Sequence, residues 1–473
     1  MSTASLEVSG LGAGLTEDRA RAIYRQGEEA TVLALMAQAK MVDETRSTVG
    51  AVSPSTPSGM RPVYTKPPAS SRRKKPGRKA GHPGSRRQAP ARIDRHEEHR
   101  CECCPHCQGL LNRCNQSRTR YVEDIPANIE VQTTEHVIHR DWCPACKKHV
   151  EPVVPDALPG ATLGHRAAVM SAWLHYGLGV TIDKVIDVFG YHMQMELTPG
   201  GLVQTWHRLA DVLRPWYEQV HAQALDGAVL HGDETGWRVN GATHWLWCFG
   251  SPDLTYYMVH RSRGSEALDE FFTREFNGTL VTDFWGAYNA VTCCDRQMCL
   301  VHLLRDLKEV EAYKTCGGDW PAFAKTLRRL IGDATRLWKR QGIDAQTYAR
   351  RCVLVDQRLT AMIETPWQHD DARRLVKRLR RHRDDLFTFL DKPGVPPDNN
   401  HAERSIRPAV IIRKNSHGNR SDRGADTQAV LMSIHRTLKQ RGHDPLKTIV
   451  EALRNSLLTG QLPPLPDKPT PSG

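Results

Sequence analysis

At 473 residues the chain is long enough for several domains and a sizeable core, and with 39% hydrophobic residues most of it is expected to fold. The net charge is +12, and no run of 18 apolar residues occurs, so no membrane-spanning helix is expected. The N-terminus lacks a basic start followed by an apolar stretch, so a secretory leader is not expected, and the thirteen cysteines read as thiols or metal ligands of a cytoplasmic protein rather than as disulfides.

Residues 1–50 form an N-terminal helical segment, rich in helix formers from 15 to 48, with Thr16 at its start. Apolar periodicity is clear only from Val32 to Met41, too short for a sustained coiled coil. Residues 51–94 change character to Pro, Ser and basic residues. Between Arg61 and Arg92 stand eleven Lys/Arg and no Asp/Glu, nearly the whole charge excess. Such a segment buries too little apolar surface to offset its ordering entropy and is expected to be a mobile arm. A basic balance confined to one arm points to a polyanion, nucleic acid first, with Arg72, Arg73, Lys74, Lys75, Arg78 and Lys79 as the contacting cluster. A solvated linker is the alternative.

Residues 95–158 are a cysteine-rich module. Cys104-Pro-His-Cys107 and Cys143-Pro-Ala-Cys146 are two C-x-x-C knuckles, and four thiolates from two knuckles suit one closed, structural Zn²⁺ site. Cys101 with Cys104 has the same spacing, which leaves the register of the first knuckle open. Between the knuckles, "RYVEDIPANIEVQTTEHVIHRDW" reads as β-hairpin material. A closed four-cysteine site has no open position, so recognition of DNA ends fits it better than catalysis.

Residues 159–225 read as helices. Thr198 with Pro199 just inside starts the second long one, and the pair is a candidate helix-turn-helix for DNA binding. From 226 to 316 the pattern switches to strands: "GAVLHGD", then "HWLWCFG" and "LTYYMVH" flanking the turn "SPD", then "GTLVTD" and "QMCLV" with helices between and after. This β-β-β-α-β-α-β-α order is that of an RNase H-like α/β core. Residues 317–396 are a helical insertion; Phe323, Leu327, Leu330, Ile331, Ala334, Leu337 and Trp338 share one face at helical spacing. Residues 397–460 resume the core with further helices, and 461–473 read as a disordered tail. The expected class is multidomain α+β.

Two apolar strands end in acids, Asp233 of "LHGDETGW" and Asp283 of "LVTDFW". Either alone reads as a turn or cap residue. On neighbouring parallel strands they stand side by side, where two carboxylates repel unless a cation neutralises them. Glu403, early in a helix of "DNNHAERSIRP", supplies a third acid. Two strand-end Asp and one helical Glu make an oxygen-ligand set suited to Mg²⁺, and two such ions, or Mn²⁺, perform phosphoryl chemistry. Glu234 faces opposite to Asp233 on an extended strand and is not taken as a ligand.

The strings "DETGWRV", "TDFWGAY", "CLVHLLRDL", "DNNHAERSIRPAVIIRKN" and "SDRGA" together resemble the insertion sequence 66 family of bacterial transposases, from about Ser53 to about Leu458. The resemblance implies a DDE-type transposase with a helical insertion before its last acid, and Asp233, Asp283 and Glu403 as the triad. It also implies a zinc module, recognition of terminal inverted repeats and target DNA, a homo-oligomeric synaptic complex, accessory proteins of the same element and a nucleoid-associated place in a bacterium. Cys299 and His302 match a C-x-x-H signature. His302 is read either as orienting substrate or supporting the metal, or as capping its helix or filling the core; Cys299 is read as a small core residue. Arg404, Arg407, Arg413 and Lys414 beside Glu403 are expected to grip phosphates, with surface solvation as the alternative. A non-catalytic DNA-binding derivative of a transposase and a hydrolytic nuclease on the same fold are the rival functions.

Overall fold

Five strands form the sheet around which the rest of the chain is arranged. The computed structural model describes residues 91–112, 119–122, 125, 129–314 and 316–469, with a few positions between 21 and 32. The basic arm with Arg72, Arg73, Lys74, Lys75, Arg78 and Lys79, and most of the N-terminal segment, lie outside the described residues.

The first strands, β1 (Asp141–Cys143) and β2 (Lys148–Val150), form a small antiparallel hairpin. Helices α1 (His165–Ala172), α2 (Ile182–Met193) and α3 (Pro199–Leu225) follow. Then come β3 (Val229–Val239), β4 (Ala242–Ser251), β5 (Leu254–His260), α4 (Ser265–Phe271), β6 (Phe276–Thr282), β7 (Cys293–Met298) and α5 (Leu300–Tyr313). The insertion holds α6 (Trp320–Lys339), α7 (Ala345–Glu364), α8 (Asp370–Arg381) and the short α9 (Thr388–Asp391). The chain returns through α10 (Asn400–Ser416), α11 (Asp422–Gln440) and α12 (Pro445–Thr459). No helix among the described residues is long and apolar enough to cross a membrane.

The sheet order is β5-β4-β3-β6-β7. The β3–β4–β5 meander is antiparallel, while β3–β6 and β6–β7 are parallel. Alternation along the strands separates two cores. Leu230 and Leu280 join a large core with α1–α3 and α10–α12, while Val229 and Val281 face a second core with α5 and the insertion helices. Gln297, fully buried on β7, ties the insertion to the sheet: its amide donates to the Leu386 carbonyl and accepts from the Phe389 N–H.

Helix boundaries follow local capping chemistry. Thr198 Oγ1 accepts from Gly201 N–H at 3.1 Å ahead of Pro199, Ser421 caps α11 through Gly424 N–H at 3.1 Å, and Asp444 caps α12 through Leu446 N–H at 2.9 Å.

Four expectations change. β3 does not stop at Asp233 but runs on to Val239 against β4, because Trp237 and Val239 are apolar and buried on that pairing. The candidate helix-turn-helix is built into the core: α3 buries Leu202, Trp206, Leu209, Leu213, Trp216 and Val220 against α11 and β5. The described residues between 119 and 140 hold no strand, and Val122, Ile125 and Val137 are exposed, so no packed face rewards pairing there. Residues 463–466 are not a free tail. Trp216 Nε1 donates to the Pro463 carbonyl at 2.6 Å, Leu465 N–H donates to Gln219 at 2.9 Å, and Leu465 is buried.

Past α10 the chain turns sharply at His417 and Gly418 and lays Asn419 beside the end of β3, exchanging backbone bonds with Arg238 and Asn240 at 2.9 Å each. Gly418 has φ +132°, and a Cβ there would stand 2.2 Å from the Arg238 carbonyl oxygen. Gly418→Ala is therefore expected to lower unfolding free energy by about 2 kcal/mol or more, measured by denaturant titration, whereas Gly317→Ala, with ordinary φ and open space around it, costs much less.

Candidate active site

Backbone register brings the two aspartates together. His231 pairs with Val281 in the parallel β3–β6 ladder, so Asp233 and Asp283 each lie two residues beyond a matched pair. Strands in such a ladder run about 4.8 Å apart, and two residues on returns both side chains to the same face. Asp233 Oδ1 accepts the Glu234 N–H at 2.9 Å, and Asp283 Oδ1 accepts the Trp285 N–H at 2.8 Å. Glu403, in the first turn of α10, stands near enough for its charge to act on Asp233.

Burial, then the charges of Glu234, Asp283 and Glu403, hold the Asp233 carboxyl well above the usual carboxylate range. Burial, then the Glu234 charge, pushes Asp283 up to about 7, against the pull of the Trp285 N–H, Arg263 and Arg378. Carboxyls raised by neighbouring anions lose their protons readily to an incoming cation, which is the behaviour required of divalent-metal ligands. The donor set is all oxygen, which fits Mg²⁺ or Mn²⁺. Glu403 is 17% exposed and is turned to Arg305 at 3.3 Å, with His302 Nε2 at 4.0 Å. Among the described residues no three His, Cys, Asp or Glu side chains converge into a complete ligand set.

Glu234 sits apart chemically although it is next in sequence. It is 1% exposed and fully engaged: Arg263 donates from Nε at 3.0 Å and Nη2 at 2.8 Å, and Tyr288 Oη donates at 2.9 Å. The Arg263 guanidinium lies 3.8 Å over Trp285 and 4.6 Å over Trp245, and its carbonyl accepts the Trp285 indole N–H at 3.0 Å. This cage steadies the loop that presents Asp283. Arg263, Trp285, Tyr288 and Arg305 carry no spacing signal of their own, so sequence reasoning passes over them.

His302 lies beside the Arg305–Glu403 pair, 3.3 Å from Arg305 and 4.0 Å from Glu403. Cys299 is fully buried and its thiol is pushed up to about 12 by burial, so it remains a thiol. Arg404, Arg407 and Lys414 line the exposed side of α10 together with Ile411. Arg413 instead points into the fold, donating to Thr235 Oγ1 at 2.8 Å and to the Gly236 carbonyl.

The two knuckles share one turn geometry. The residue after the second cysteine takes positive φ in both, Gln108 at 59° and Lys147 at 51°. Backbone N–H groups of His106 and Cys107 lower the Cys104 thiol, and that of Cys146 lowers Cys143. Each turn thus favours thiolate, which suits Zn²⁺. The structure pairs Cys104 with Cys107 and Cys143 with Cys146 but does not unite the four.

The mixed sheet with its neighbouring aspartates is consistent with a transposase domain, and comparison with known families places the chain. The family described as Transposase IS66 family matches residues 161–427, more than half the chain, and the chain belongs to that family. Two relatives come from Sinorhizobium fredii (strain NBRC 101917 / NGR234). The uncharacterized protein y4jD is 23% identical over 390 residues, covering 76% of this chain and 74% of the relative. The uncharacterized protein y4qI is 23% identical over 240 residues, covering 44% and 43%.

Because Asp283 binds its proton more tightly in the fold than its ordinary 3.8, the folded state carries extra protons between that value and about 7. Stability from this site is present at low pH and is lost as pH rises through that window. Without divalent ions at pH 8, Asp283→Asn is expected to be more stable than wild type by about 1 kcal/mol or more. Added Mg²⁺ should raise the melting temperature of wild type and leave the variant unmoved; thermal melts with and without the ion check both.

Proposed function

We propose that the protein is a DNA transposase that binds the terminal inverted repeats of an insertion sequence and cleaves and joins strands at a site held by Asp233, Asp283 and Glu403. The observation that carries this reading is the register-matched pair of half-buried aspartates, their carboxyls raised by desolvation and neighbouring acids, beside a helical glutamate. The sheet order, three antiparallel strands continued by two parallel ones, supports an RNase H-like core interrupted by a helical insertion. Two bound Mg²⁺ ions, or Mn²⁺, would supply activation of the attacking hydroxyl and charge stabilisation at the leaving oxygen.

The chain's own part is positional. Asp233, which feels the charge of both other acids, would serve both ions, and Asp283 and Glu403 would each help hold one. His302 and Arg305 hold Glu403 from behind. The exposed stripe Arg404, Arg407 and Lys414 leads away from the acids along one helix face, a path suited to a phosphate backbone. Arg413 is the weakest of the four for that role, since its guanidinium already serves β3. One structural Zn²⁺ on Cys104, Cys107, Cys143 and Cys146 would fold the module that reads DNA ends, and the matching turns support it. The basic arm adds sequence-independent grip. A homo-oligomeric synaptic complex, accessory proteins of the element and a place on the bacterial nucleoid complete the reading.

Asp233→Asn, Asp283→Asn and Glu403→Gln are each expected to abolish Mg²⁺-dependent strand cleavage and joining on DNA carrying the element's ends, while gel-shift affinity for those ends changes little. Cleavage retained by a variant removes that residue from the site. End binding without cleavage in wild type favours a DNA-binding derivative, and cleavage without joining of pre-cut ends favours a nuclease.

Neutralising Arg72, Arg73, Lys74, Lys75, Arg78 and Lys79 should weaken binding to all DNA sequences alike. Each lost phosphate contact lowers the slope of log affinity against log salt by about 0.9. A salt titration with an unchanged slope shows that the arm does not touch DNA.

A further inference from the structure

Asn399 occupies the N-cap position of α10, where asparagine ordinarily caps through its side chain. Here it does not. The neighbouring Asn400 N–H is taken up by Asp398 at 3.0 Å, and the buried Asn399 side chain turns to β3. Its Nδ2 donates to the Gly232 carbonyl at 2.7 Å, and its Oδ1 lies 2.9 Å from His231 Nδ1. Donation to a carbonyl fixes which end of the amide faces which partner, so Oδ1 accepts and His231 Nδ1 carries the proton.

The Asn399 backbone is used equally fully. Its N–H donates to the Cys299 sulfur at 3.1 Å, and its carbonyl accepts the Glu403 N–H at 3.1 Å. Cys299 N–H in turn donates to the Thr282 carbonyl at 2.8 Å. Gly232 precedes Asp233, Thr282 precedes Asp283, and Glu403 is one helical turn from Asn399. One buried residue therefore bonds directly to the neighbour of Asp233 and, through its backbone, to Glu403, and is linked through Cys299 to the neighbour of Asp283.

We propose that Asn399 is the positioning residue that registers the three carboxylates against one another, so that together they take up divalent metal. The proposal rests on the reading of Asp233, Asp283 and Glu403 as ligands. A greasy contact at this point would hold helix and strand together without fixing their offset. Two directional bonds to consecutive strand residues do fix it, and an offset of one residue would set Glu403 against a strand position whose side chain faces away from that of Asp233. A residue that orients ligands without touching the ion typically changes metal affinity by about 10- to 100-fold when removed.

The experiment is titration of the full chain with Mn²⁺ alone, read by calorimetry or by the paramagnetic resonance of free Mn²⁺, well below the melting temperature of each variant. Wild type, Glu403→Gln, Asn399→Ala and His231→Phe are compared. Glu403→Gln should lose the site, Asn399→Ala should weaken it by about 10- to 100-fold, and His231→Phe, which spares the bond to Gly232, should weaken it less. A folded Asn399→Ala that binds Mn²⁺ as wild type does, while Glu403→Gln has lost it, overturns the proposal and leaves Asn399 a structural tie. If Asn399→Ala does not fold, His231→Phe decides, and unchanged affinity there overturns the proposal. If wild type and Glu403→Gln are indistinguishable, the ligand reading itself fails and takes this proposal with it.

Discussion

The lashing of helix α10 to strand β3 is the constraint on which the rest of the site depends. Asn399 holds His231 and Gly232, Arg413 holds Thr235 and Gly236, and Asn419 accepts the Trp237 indole N–H at 2.7 Å and brackets Arg238 and Asn240. The ties follow the strand in order, so helix and strand lie alongside one another with a fixed offset. Each buried bond contributes about 1 kcal/mol net, but leaving one partner unsatisfied costs about 1–3 kcal/mol. That asymmetry makes offset alternatives expensive. It also explains why a long helical insertion between β7 and α10 is tolerated: loop-closure entropy grows only with the logarithm of length, while the ties at the return point stay the same.

Charge is partitioned with equal care. The charges of Glu234, Asp283 and Glu403 all act on Asp233, and that of Glu234 on Asp283. Glu234 is neutralised by a permanent partner, Arg263, caged between two indoles, and by the Tyr288 hydroxyl. Asp233 and Asp283 have backbone N–H donors and no such direct partner, so their burial is expressed as held protons. A fold selected for stability alone would give every buried acid what Glu234 has. The unequal treatment of neighbouring residues 233 and 234 supports the proposed reading of Asp233 as a ligand, with Glu234 as scaffold.

Much of this was legible in the chain. The strands and turns from 226 to 316 announce themselves through apolar runs bounded by "SPD" and acidic ends, and the insertion helices through regular spacing such as Phe323, Leu327, Leu330 and Ile331. Local pattern failed where a distant partner decides the outcome. Trp237 and Val239 extend β3 past Asp233 because β4 covers them. The Pro-rich 463–466 segment is ordered by a donor, Trp216, and an acceptor, Gln219, of α3, 247 and 246 residues earlier. Arg413 reads as a surface cation, yet the strand carbonyl it satisfies lies far away in sequence. Asn399 reads as a helix cap, and nothing local reveals that its side chain is given to a strand. Buried amides and guanidiniums serving remote backbone are invisible to periodicity, because they satisfy partners that only the tertiary fold supplies.

The position of the acids relative to the two cores carries the argument one step further. Leu280 belongs to the core shared with α3 and α11, Val281 to the core shared with the insertion, and Asp283 follows directly on both. Leu300, just after Cys299, is part of the insertion core, while Ile406, just after Glu403, is part of the other. The acids therefore stand at the seam where two separately packed bodies meet across one sheet. A seam offers rigidity from each side, since both interiors are close-packed. Asn399 spans that seam, reaching β3 with its side chain and Cys299 with its backbone.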